Sequence, residues 1–167
     1  MTAIRVNRAP VLTLWAAVVA ERLGYAEDTA LSLASAVAGT AAQAKARRLG
    51  LAEQHEHVDR DIAPRRSVRL LGREVAVAEE GGALLAAHDG TPAPAAPVRC
   101  YVERAFGAHL DEVRAAMQVL AARLPPEELN RVGFRLYEAF RPEVPDGATG
   151  WGAKGELRTE RIRSALA

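Results

Sequence analysis

The stretch Ala9–Gly50 constrains this chain most, because it holds two apolar helical runs joined by a short polar turn. Pro10 suits the first turn of a helix, where a missing N–H costs no intrahelical bond, and Asn7 stands a little upstream as a cap. Val11, Leu14, Ala17 and Val18 fall on one helical face, and Leu12, Trp15, Val19 and Leu23 on the adjoining one. So broad an apolar surface exceeds the single stripe of a helix lying on a core. This first helix is expected to be buried on most sides, within the chain or partly against a second copy. Leu12, Trp15 and Val19 are therefore candidate interface residues. Gly24 supplies the left-handed residue that commonly ends a helix.

The second run opens at Glu27 and Asp28, acidic groups that suit the positive end of a helix dipole. Ser32, Ser35, Gly39 and Ala42 recur at spacings of three and four, so another element can approach closely along that row. Lys45, Arg47 and Arg48 fill the last turn and complement the negative end of the dipole, and Gly50 stops the run. Two helices about a short turn have some of the rhythm of a DNA-reading motif. A recognition helix, however, offers polar side chains to base edges from its first half. This one offers Glu27, Asp28 and then mostly Ala, Leu and Ser, so a structural hairpin is the better reading.

Farther on, Arg65-Arg66-Ser67-Val68-Arg69-Leu70-Leu71-Gly72-Arg73 is the densest basic run. Read as a strand, it places Arg66, Val68 and Leu70 on one face and Ser67, Arg69 and Leu71 on the other. Glu74–Ala78 extends it, Glu79-Glu80-Gly81-Gly82 turns, and Ala83–Ala87 returns as an antiparallel partner. Asp89–Pro97 reads as a stiff, extended Pro-rich connector. Beyond it the period is helical again. Val98, Tyr101, Val102, Ala105 and Phe106 share a face, with Cys100 near it as an inert small hydrophobe. Leu110, Val113, Met117, Leu120 and Leu124 mark a second helix, and Leu129, Val132, Gly133, Leu136, Tyr137 and Phe140 a third, with breaks at Gly107 and Pro125-Pro126. A Gly-rich arm, 145–157, carries Trp151 for insertion into a groove of this chain or of a partner. Thr159 caps a short final helix, and residues 1–8 read as a tail.

The expected architecture is α+β, mainly α. It comprises an N-terminal antiparallel helical hairpin, a small central antiparallel β element, a bundle of three short helices and the ordered arm. With 167 residues, one compact domain suffices. It divides, if anywhere, into 1–90, the connector 91–97, and 98–167.

Charge and composition narrow the chemistry. The net charge is +1, whereas a dedicated nucleic-acid binder usually carries a strong basic excess or a clear basic face. One cysteine excludes an internal disulfide and a Cys-rich metal site. Glu53, His55, His57, Asp59 and Asp61 alternate at period two and are the one local group of metal-ligand type. They precede Pro64 in a charged stretch that reads as a solvated loop, and no metal site is assigned. Gly150, Gly152 and Gly155 match G-x-G-x-x-G, but no strand precedes them and no long helix follows, so a dinucleotide site is rejected. No Gly-x-Ser-x-Gly elbow occurs, and no catalytic residue or cofactor is assigned. Pro10–Ala20 is too short to span a bilayer, so the expectation is a cytoplasmic protein with no membrane association.

The sequence thus leads to a soluble, non-catalytic protein acting through protein–protein contacts, as a homodimer whose interface uses Leu12, Trp15, Val19 and Trp151. The alternative is a nucleic-acid-binding protein that contacts phosphates through Lys45, Arg47, Arg48, Arg65, Arg66 and Arg69.

Overall fold

A computed structural model describes residues 3–48, 67–88, 91–142 and 155–166; in 39–48 the backbone alone is described. The architecture is α+β and mainly α, as the sequence indicates. Helix α1 (Arg8–Arg22) lies at its centre. Every residue from Pro10 to Ala20 is buried, and α2 (Glu27–Arg48), α3 (Ala95–Phe106), α4 (Leu110–Ala121) and α5 (Pro126–Phe140) all pack on it. A helix that is apolar all round is stable in water only when enclosed this way. Gly24 ends α1 at φ 109°. There the Gly24 N–H donates to Glu21 O at 3.0 Å and the Tyr25 N–H to Ala20 O at 3.2 Å, the paired bonds of a Schellman stop.

The first residues are not a tail. Ala3–Val6 forms strand β1, which pairs antiparallel with Gly155–Arg158, strand β6, in the register Ile4↔Leu157 and Val6↔Gly155. Ile4, Val6 and Leu157 are buried, so the alternation Ala-Ile-Arg-Val is that of a half-buried strand. The strand is too short for its period to stand out in the sequence. The rest of the Gly-rich arm, including Gly150, Trp151 and Gly152, lies outside the described residues. Thr159 is the first residue of α6 (Thr159–Arg163) rather than its cap, and it is buried.

A second sheet runs β2 (Ser67–Leu70), β3 (Arg73–Glu80), β4 (Ala83–His88) and β5 (Thr91–Pro92), each antiparallel to the next. The basic strand does not run straight through Leu71, as its sequence suggests. Instead the chain reverses there, with Leu71 at φ 54° and Gly72 at φ 81°, the two positive values that a tight two-residue hairpin requires. Leu71 therefore leaves the face of Arg69 and is buried in the core. Nor is the Pro-rich stretch simply an extended connector. Thr91–Pro92 pairs with Ala87 and His88, Pro94 precedes the first turn of α3, and Ala95 is buried.

Ser32, the first of the small residues on α2, meets this sheet. Ser32 is fully buried; its hydroxyl donates to Ala93 O at 2.6 Å and accepts from the Ala86 N–H at 2.8 Å. One side chain thus ties α2 to β4 and to the residue that follows β5. A small side chain is what the spacing requires, because a longer one would hold the helix off the strand.

The three C-terminal helices follow their sequence pattern, with two exceptions on α3. Val98, Val102 and Phe106 face inward, but Tyr101 is 45% exposed and Cys100 is also exposed. Gly107, at φ 55°, turns the chain from α3 through a short 3-10 turn, Gly107–His109, into α4.

Candidate functional site

The candidate contact residues separate once placed on the fold. Leu12, Trp15 and Val19 are at most 5% exposed within the single chain, so their apolar surface is consumed by α1's own neighbours. No second copy is needed to cover them. Trp151, Arg65, Arg66 and the His55–Asp61 cluster lie outside the described residues, and Lys45, Arg47 and Arg48 belong to the α2 backbone without described side chains. Arg69 is exposed on β2, with its Nη1 3.5 Å from Gly72 O.

What surrounds Arg69 was not legible as a group. Asn130 of α5 accepts from the Leu71 N–H at 2.7 Å through Oδ1 and donates to Arg69 O at 2.7 Å through Nδ2. Its amide thereby imitates a strand partner for the hairpin tip. This clamp brings the β2–β3 turn against α5, where the Arg73 guanidinium stands 5.6 Å from the centre of the Phe134 ring, within cation–π range. Arg131 and Arg135 are exposed one helical turn apart on α5, flanking Phe134 in sequence. The corner is not purely basic, for Arg131 is 4.0 Å from Glu128 and Glu74 stands opposite Arg69 across the ladder. Arg131 and Arg135 show a helical i,i+4 spacing in sequence; the approach of Arg73 to Phe134 does not show there.

A second polar feature is a cleft of about 140 Å³ whose lining includes the charged residues Glu27, Arg99, Glu103, Asp111 and Arg114. Arg99 spans from α3 to the start of α2, 2.6 Å from Asp28 and 3.5 Å from Glu27. Its hydrogen bond to Asp28 raises its pKa. Partial burial pushes the nearby Glu21 carboxyl up, with Glu27 adding to the effect and Arg114 opposing it. Among the described residues no group of three or more His, Cys, Asp or Glu is arranged to hold a metal ion. The cleft's visible work is to join α2 to α3 through charge.

Outward-facing apolar surface is concentrated elsewhere. On α4 and just beyond it, Ala115, Val119 and Ala122 are exposed at spacings of four and three, with Gln118 beside them. Val119 is 54% exposed. The opposite side of the same helix is consumed by the core through Val113, Ala116, Met117 and Leu120.

The chain matches no protein-family model, no curated protein and no solved structure. No helix among the described residues is long and apolar enough to cross a membrane.

Proposed function

We propose that this protein is a non-catalytic interaction protein that self-associates through the outer face of α4. The observation that supports this reading is the exposed ridge of Ala115, Val119 and Ala122 on a helix whose other side is fully committed to the core. Small side chains let two helices approach to about 8–10 Å between axes. Two copies related by a twofold axis present the same ridge to each other, the commonest arrangement of homo-oligomers. The interface thus shifts from α1, where the sequence suggested it, to α4. Light scattering over a range of protein concentrations tests this. The expected result is a mass twice that of the chain, reduced to one chain by Val119→Arg; a monomer at every concentration overturns it.

A second reading, nucleic-acid binding, is favoured by the Arg73 guanidinium standing over Phe134, with Arg69 exposed on the same hairpin and Arg131 and Arg135 exposed on the helix that carries Phe134. Arginines beside an aromatic ring suit a phosphate backbone with an unstacked base. Fluorescence anisotropy with single-stranded and duplex DNA separates the two readings. Binding that weakens steeply with salt and is lost in Arg69→Ala/Arg135→Ala supports this second one, and no binding at low salt ends it.

A further inference from the structure

We propose that the cleft bounded by α2, α3 and α4 binds a small zwitterion, a free amino acid with a short aliphatic side chain. This site is independent of the α4 ridge and of the contact between Arg73 and Phe134.

The cleft brings charges of both signs from three helices to one small space, and they do not all satisfy one another. Arg99 of α3 is committed to α2, at 2.6 Å from Asp28 and 3.5 Å from Glu27. That ion pair ties two of the contributing helices together. Glu103 of α3 and Asp111 and Arg114 of α4 line the same cleft. Among the described residues, the side chains of these three make no hydrogen bond or ion pair. Two carboxylates and one guanidinium are thus left for a ligand that carries both signs of charge. An arginine fork takes a carboxylate through two parallel hydrogen bonds. An ammonium donates up to three hydrogen bonds, which carboxylate oxygens accept. Arg114 accordingly receives the carboxylate of the amino acid, and Glu103 with Asp111 its ammonium.

Size and apolar lining narrow the ligand class. At about 140 Å³ the cleft is well below the roughly 300–1,000 Å³ of pockets that enclose drug-sized ligands. A nucleotide is too large for it. Leu31 of α2 and Val102 of α3, both core residues, also line the cleft, and they suit a short aliphatic side chain. A simple carboxylate leaves Glu103 and Asp111 unanswered, and a simple amine leaves Arg114 unanswered. Valine supplies both charges and the apolar group.

Isothermal titration of the full chain at pH 7 and constant ionic strength tests the site with three probes of similar shape. These are L-valine, isovalerate, which lacks the ammonium, and isobutylamine, which lacks the carboxylate. One L-valine per chain is expected, bound at least tenfold more tightly than either analogue. Arg114→Gln is expected to weaken L-valine at least tenfold, as is the double variant Glu103→Gln/Asp111→Asn. Arg131→Gln, on α5 and away from the cleft, should leave it unchanged. The two cleft variants alter opposite charges, so if one fails to fold, the other carries the test. Absence of L-valine binding overturns the proposal. So does isovalerate or isobutylamine binding as tightly as L-valine, or an affinity for L-valine unchanged in either cleft variant. A loss in Arg131→Gln equal to that in Arg114→Gln overturns it as well.

Discussion

The indole N–H of Trp15 donates to the main-chain carbonyl of Gly133 at 2.9 Å, deep between α1 and α5. The close packing here depends on glycine at 133, because a Cβ there would run into the side chain of Leu71. Trp15 also meets Phe140 edge to face, with centroids 5.3 Å apart. Three segments distant in the chain therefore fit together around one missing methyl group.

Gly133→Ala is expected to destabilise the fold by about 1–3 kcal/mol through overpacking, despite a gain in helix propensity of up to about 1 kcal/mol. Urea denaturation measures the balance. Pairing it with Leu71→Ala, which removes the obstructing side chain, should make the double variant's loss smaller than the sum of the single losses.

Asn130→Ala removes both bonds that hold the hairpin tip and leaves the Leu71 N–H without its acceptor. A loss of roughly 1–3 kcal/mol is expected. Leu71 sits at φ 54°, a conformation that branched or bulky residues seldom adopt, so the tip should loosen first. Hydrogen exchange at Leu71 is expected to speed up more than at the Val19 amide in the middle of the core.

Ser32→Ala orphans the buried Ala86 N–H and is expected to cost about 1–3 kcal/mol. Ser32→Thr keeps the hydroxyl but adds a methyl where α2 touches β4. If close approach matters as much as the hydrogen bond, thermal unfolding should show both variants below the wild type.

Burial raises the Tyr137 hydroxyl to about 12, against an ordinary value near 10, with Arg8 and Arg141 opposing the shift. The folded state then holds its proton where the unfolded state has released it. This contribution to stability is complete below pH 10 and is lost as pH rises from 10 to 12. Two pKa units correspond to about 2–3 kcal/mol. Denaturant titrations at pH 9 and 11 should show the decline, and Tyr137→Phe should flatten it.

Local pattern was enough for much of the fold. Gly24 and Pro126 marked helix boundaries, and the spacing Val113, Met117, Leu120 and Leu129, Leu136, Phe140 marked inward faces, because these signals act within one or two turns of chain. The breadth of apolar surface on α1 likewise announced an enclosed helix. What enclosed it was beyond local pattern. Whether Leu12, Trp15 and Val19 meet a second copy or α4 and α5 depends on how the helices assemble, and the structure gives them to the same chain.

The same division holds for the candidate sites. Each arginine is visible in the sequence, yet charge alone does not place Arg73 over Phe134 or join the side chain of Arg8 to the Pro142 carbonyl. Those placements arise because Asn130 clamps the hairpin to α5 and because α1 packs on α5. Sequence by itself determined which segments are helical and which faces are apolar, since backbone geometry and solvent act on each residue locally. Tertiary structure alone decided that Leu71 turns into the core, that β1 pairs with β6, and that the Arg8 side chain bonds the carbonyl of Pro142. Each of those is set by contacts between residues tens to more than a hundred positions apart.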